Sequence, residues 1–167
     1  MNYYNYKSWS GLRKKLEEDL LAESLRGRVQ YFCTAYHTAH DYGGRVAVRV
    51  DGKELVQFTW ADEYAGHSRS FSLREQGMNE AAVDRIVQEE GLLSDGDFIV
   101  ATWKFFDSPI AESLESDNLI LRLLAILDRR VGKRTLEKVL ESGEWEALPT
   151  WLKQFYCLRF EAEGLLK

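Results

Sequence analysis

Residues 119–127 read LILRLLAIL, and this apolar run passes directly into a basic cluster, DRRVGKR, at 128–134. Leu119, Ile120, Leu121, Leu123, Leu124, Ile126 and Leu127 leave only Arg122 and Ala125 between them. Apolar side chains on every side of a helical period describe a helix surrounded by protein. The run is well short of the roughly 20 apolar residues that cross a bilayer. Asp117 or Ser116 is placed to cap its start, and Arg129 and Arg130 to meet the negative end of its dipole.

A chain of 167 residues can bury such a helix in one domain without staples. With 45% hydrophobic and 13% aromatic residues, disorder is excluded, and no repeat, linker or low-complexity tract divides residues 1–167. Cys33 and Cys157 lie far apart and outside any Cys-x-x-Cys pair, as reduced core thiols do. The amino terminus, MNYYNYKSWSG, has no leader-like pattern, so a cytosolic protein is the expectation. The net charge of −5 is concentrated after residue 83 and works against bulk nucleic-acid binding.

Along the chain, Ser8 is an N-cap for an amphipathic helix carrying Trp9, Leu12, Leu16, Leu20 or Leu21, and Leu25, closed by Gly27. RVQYFCTAY at 28–36 is rich in β-formers. Val46, Val48 and Val50, then Val56, Phe58 and Trp60, alternate with polar or smaller residues and predict an antiparallel hairpin. A two-residue turn at Asp51-Gly52 would put the two apolar sets on opposite faces. The spacing therefore predicts a three-residue Val50-Asp51-Gly52 loop with Gly52 left-handed. Residues 61–78 read as an irregular loop or edge element. Asn79 caps a helix to about Glu90, DFIVATWKFF at 97–106 reads as a strand, and Pro109 starts a short turn. Gly132 interrupts the apolar helix, Leu136, Val139 and Leu140 share one side of the next segment, and a last helix runs from about Thr150 to Glu163. The fold class is α+β: an antiparallel meander from the N-terminal half, packed by a helical layer from the C-terminal half.

Asp117-Asn118-Leu119, Leu124 to Arg134 with its DRRVGKR core, Trp151-Leu152, and the run Phe155 to Gly164 (FYxLRxxAEG) resemble a family of small bacterial proteins without an assigned activity. Trp9, Leu12, Leu16, Gly27-Arg28-Val29, Tyr31, Thr34, Tyr36 and Val50 to Glu54 look like the other half of the same pattern. The resemblance implies a single bacterial cytosolic domain and carries over no catalytic residue. It is weakest from about Ala61 to Asp107, the stretch where anything particular to this chain would lie.

Three surfaces carry candidate chemistry. Arg45, Arg49, Gln57 and Thr59, with Tyr31 or Tyr36, are placed for an open sheet face of the kind that RNA-binding sheets and protein interfaces both use. Arg129, Arg130, Lys133 and Arg134 have i,i+4 spacing for one helical face that could hold phosphate, though helix-end electrostatics with Asp128 and Glu137 accounts for them more simply. His37, His40 and Asp41, with His67, are too few to build a metal centre comfortably. Asp107 and Glu161 are the carboxylates that follow aromatic residues. Gly-x-Ser-x-Gly and Gly-rich phosphate loops are missing, so no cofactor is implied. The sequence thus reads as a non-enzymatic protein-interaction domain, immunity-type binding among its forms, acting through the sheet face and without a membrane. Nucleic-acid or phosphate binding through the basic cluster is the second reading, and a metal or acid/base enzyme near His37 and His40 the third.

Overall fold

The computed structural model describes residues 9–35 and 44–167. The expected cap Ser8, and Tyr36, His37, His40 and Asp41, lie outside the described residues. Helix α1 (Trp9–Lys14) widens into a π-type turn over Lys15–Leu20, burying Leu12 and Leu16. It does not continue to Leu25 as the spacing predicts. The chain straightens at Leu21 because its backbone is claimed by the segment around Asp128: Ala22 N donates to Leu127 O at 2.8 Å and Arg129 N to Leu20 O at 2.8 Å. A 3-10 turn, Glu23–Leu25, then leads to the sheet.

Strands β1 (Val29–Ala35), β2 (Gly44–Val50) and β3 (Lys53–Thr59) form an antiparallel meander in the order β1-β2-β3. Val50 pairs with Lys53, so the turn has two residues, Asp51 and Gly52, both at positive φ (51° and 83°). That is the primed turn whose twist suits a hairpin. The expected left-handed Gly52 is present, but the odd residue sits elsewhere. Arg49 pairs with Glu54 and Val48 with Val56, leaving Leu55 as a bulge. The bulge, not a longer loop, returns Val56 and Phe58 to the face of Val46 and Val48. Gln154 Nε2 caps the bulged Leu55 carbonyl at 2.9 Å, and Glu17 accepts from the Tyr31 amide at 2.7 Å.

Two segments were misjudged by sequence pattern. Residues 61–78 are mostly helix α2 (Trp60–Glu75), with Thr59 Oγ1 accepting from Asp62 N at 3.0 Å as its cap. Only Gly66 and Leu73 of α2 are buried, so its apolar residues never form a core-facing stripe. Residues 97–106 are not a strand but belong to helix α4 (Asp95–Phe106), which follows α3 (Glu80–Glu89). A reciprocal capping box joins Ser94 and Asp97, and Phe98, Ala101, Thr102 and Phe105 all fall on the buried side. Packing here overrides the β-preference of Phe, Ile, Val, Thr and Trp.

After the short α5 (Ile110–Leu114), helix α6 (Leu119–Leu127) is the buried helix expected. Its cap is Asn118, whose Oδ1 accepts from Ile120 N at 3.0 Å and Leu121 N at 3.3 Å, rather than Asp117 or Ser116. Helices α7 (Lys133–Ser142) and α8 (Thr150–Ala162), joined through a 3-10 turn at Glu144–Ala147, complete the chain. Phe98 of α4 lies 5.3 Å from Phe58 on the sheet's inner face, and Trp151 of α8 meets Phe58 edge-on at 5.9 Å. Helix α6 packs behind them against α4 and α8. The fold is α+β, an N-terminal sheet covered by helices.

Candidate functional site

The outer sheet face is closed by its own side chains. Arg49 stacks over Phe32 with its guanidinium carbon 4.1 Å from the ring centroid, and Arg45 lies 5.2 Å from the same ring. Both arginines converge on Glu54, Arg45 through a hydrogen bond and Arg49 at 3.9 Å. The Arg45 hydrogen bond, with the charges of both arginines, holds the Glu54 carboxyl below its ordinary range. Gln57 is exposed on this face and has no part in the arginine cluster. Two expected members leave this face. Tyr31 points into the core at 3% exposure, where burial drives its phenol pKa far upward. Thr59 caps α2 and donates to Asp62 at 2.6 Å. Tyr36 lies outside the described residues.

The basic cluster does not share a helical face. Helix α6 stops at Leu127, and α7 starts at Lys133 with Gly132 as its N-cap. The side chain of Asp128, completely buried, accepts from Arg130 through N, Nε and Nη2 at 2.7, 3.0 and 2.9 Å. Arg130 also lies over Phe105. Arg129, Lys133 and Arg134 are exposed and form no ion pair among the described residues. The expected pairing with Asp128 is therefore made by Arg130 alone.

Behind this turn, Arg159 of α8 is 3% exposed and donates to the carbonyls of Ile126 (2.9 Å), Asp128 (2.8 Å) and Val131 (2.7 Å). Its Nε reaches Glu163 at 2.9 Å, and Glu163 also accepts from Ser24 at 2.7 Å. The DRRVGKR and LRxxAEG segments are two halves of one clamp that fixes the non-helical turn between α6 and α7.

A different region presents unused groups. On α2, Trp60, Tyr64 and Phe71 are 44%, 70% and 64% exposed, and Trp103 on α4 is 49% exposed. At about 100° per residue the three α2 aromatics form a single stripe, directly beside the row of Glu63, His67 and Ser70. That row lines a cleft of about 370 Å³ between α2, α3 and α4, whose other walls include Asp84, Asp97, Val100 and Lys104. Glu63, Asp84 and Asp97 form no ion pair within 4 Å among the described residues, and Lys104 is the one lysine set against them in the lining, so the cleft carries excess negative charge. Gly66 holds α2 close to its neighbour: a Cβ there would meet the Leu92 carbonyl oxygen at 2.8 Å. The spacing 60-64-71 was visible in the sequence. It was passed over because it matched no core.

Asp107 and Glu161 are exposed. Burial pushes the Cys33 thiol up to about 12 and raises that of Cys157, which keeps both protonated near neutrality. No cluster of three or more potential metal ligands occurs among the described residues, and none of the described helices is long and apolar enough to cross a membrane.

No curated protein and no solved structure matches the chain. A family model does match it over residues 8–160, which takes in the sheet, the aromatic face, the DRRVGKR turn and Arg159. The resemblance read from the clamp residues is thereby confirmed, and the chain belongs to the SF0329 protein family.

Proposed function

We propose that this protein is a non-enzymatic interaction domain that binds another protein through the face formed by α2, the cleft and α4. The observation that carries the reading is the exposed set Trp60, Tyr64, Phe71 and Trp103 beside a cleft of net negative charge. Large aromatics are the residues that most often dominate binding energy at interfaces. Leaving one such side chain in water forgoes about 1.5–3 kcal/mol of burial. The carboxylates select a partner segment with a basic rim around an apolar ridge, since complementary charge fixes orientation and speeds encounter. A neutralising, immunity-type role toward another protein of the same cell is one form of such binding. The sheet face is the weaker surface, because Arg45, Arg49, Phe32 and Glu54 already engage one another.

The test is a capture experiment from source-cell lysate with and without nuclease, using wild type, Tyr64→Ser/Phe71→Ser and Arg49→Glu/Gln57→Ala as baits. A stoichiometric partner that resists nuclease, binds the sheet variant and is lost from the helix variant is the expected result. Retention by Tyr64→Ser/Phe71→Ser would reject the surface. Loss on nuclease treatment would replace the reading with nucleic-acid binding, and charge reversal at Arg129, Lys133 and Arg134 would then locate it.

A further inference from the structure

Arg122 is the single charged residue in α6, a helix whose other side chains are all buried and apolar. Its Nε donates to the Ser116 carbonyl at 2.7 Å. Among the described residues it is the one arginine that is not exposed and has no carboxylate within ion-pairing distance. A half-buried guanidinium normally recovers its desolvation cost from an anion. Here no carboxylate among the described residues lies close enough to pair with it.

What it supplies is a cavity. Arg122 lines a pocket of about 260 Å³ closed by α7 and α8, with Leu114, Val139, Trp145, Leu148 and Tyr156 as apolar walls. The Trp145 and Tyr156 rings are fixed, each standing edge-on to Phe160, at 5.2 and 6.3 Å. The Arg122 charge reaches the far wall: burial raises the Tyr156 phenol to about 12 while Arg122 pulls it the other way. Thr135 and Lys138 of α7 line the pocket as further donors, together with Glu115 and Glu144. With two carboxylates beside the two cations the lining disfavours a polyphosphate, and the unpaired guanidinium of Arg122 leaves one negative charge to be matched. Its volume, just below the range of about 300–1,000 Å³ usual for ligand clefts, suits one ring rather than a nucleotide.

We propose that this pocket binds a small aromatic monocarboxylate, its carboxylate on the terminal nitrogens of Arg122 and its ring between Trp145 and Tyr156. The planar guanidinium matches a carboxylate with two parallel hydrogen bonds, a fit that an ammonium cannot reproduce. The site lies on α6, α7 and α8, separate from the α2 face, and does not depend on the protein-binding reading.

Benzoate, phenylacetate and indole-3-acetate are the probes, with benzyl alcohol and benzylamine as controls, read by thermal shift and calorimetry on the full chain. At least one carboxylate is expected to raise Tm saturably while both controls do not. Arg122→Gln and Arg122→Lys are each expected to weaken that binding about tenfold or more, and Lys138→Ala to weaken it less. Without ligand, Arg122→Gln is expected to melt no lower than wild type, because it removes an unpaired charge. Absence of a shift with all three carboxylates overturns the proposal. So does an equal shift with benzyl alcohol, or undiminished binding by both Arg122 variants. Should Arg122→Gln fail to fold, Arg122→Lys alone decides.

Discussion

At the junction of α6 and α7 the buried polar groups are met: Asp128 by Arg130, Glu163 by Arg159 and Ser24, and three backbone carbonyls by the Arg159 guanidinium. On α2 and around its cleft the arrangement is reversed, with aromatics in solvent and three carboxylates set against one lysine, Lys104. The first region is an irregular turn inside the core, where backbone groups freed from helices must be paired or cost free energy. The second is a regular helix whose backbone satisfies itself. Its outward side chains are therefore released from structural duty. The DRRVGKR and LRxxAEG motifs hold the fold together, and α2 and α4 present the open surface.

The largest effect that would break this comparison is at Arg159. Arg159→Met keeps the volume and strands the carbonyls of Ile126, Asp128 and Val131 together with Glu163. Loss of about 3–5 kcal/mol in urea-unfolding free energy is expected, the range for removing one partner of a buried charge pair. A loss below 1 kcal/mol would show that the clamp is ornamental. The intermediate case is Gly66→Ala. A Cβ facing the Leu92 carbonyl oxygen at 2.8 Å must push α2 outward, since the obstacle is backbone. A cost of about 1–3 kcal/mol is expected from the same measurement.

Near the bottom of the scale, Tyr64→Ser/Phe71→Ser is expected to change stability by less than about 0.5 kcal/mol per site, while abolishing partner capture. Equal losses of stability and binding would mean that α2 is scaffold after all. The pairing of these results with those at Arg159 is what sharpens the contrast. One region should fail in unfolding experiments and bind normally when folded, the other the reverse.

How far the sequence disclosed this follows from which forces act at each place. The burial of α6, the apolar sides of α7 and α8 and the antiparallel pairing of β2 with β3 follow from periodicity, because there one face meets the core, and the starts at Asn79 and Pro109 follow from residue type. The β-preference of its side chains makes α4 read as a strand, whereas the Ser94-x-x-Asp97 capping box is the local signal that starts a helix there. Helix α2 was missed because period-based reading looks for apolar residues turned inward, and here they turn outward. The hairpin illustrates a finer limit: parity required one extra residue between the apolar sets, yet parity cannot say whether it sits in the turn or at Leu55. Of the candidate surfaces, Arg45, Arg49 and Gln57 do share a face, whereas Tyr31 and Thr59 were drawn away by the core and by a cap. The i,i+4 reading of Arg129 to Arg134 failed because Asp128 and Arg159 hold an extended turn where a continuous helix was assumed.

The smallest expected effect tests whether the sheet face is as self-contained as its geometry implies. Arg45 and Arg49 lower the folded pKa of Glu54, so the folded state favours the ionised carboxylate relative to the unfolded chain. By linkage this contribution is present above the ordinary carboxylate value near pH 4.3. It disappears as the pH falls through the lower folded value, because the unfolded state then binds the proton first. Glu54 is part-exposed, which limits the contribution to less than about 1 kcal/mol. In Glu54→Gln the acid limb of the stability curve should flatten by that amount, while stability at neutral pH falls slightly and the Arg49 stack on Phe32 persists. An unchanged acid limb would mean that Arg45 and Glu54 are separately solvated in solution. The two arginines would then be available to a partner, and the distinction between a closed sheet face and an open helical face would have to be withdrawn.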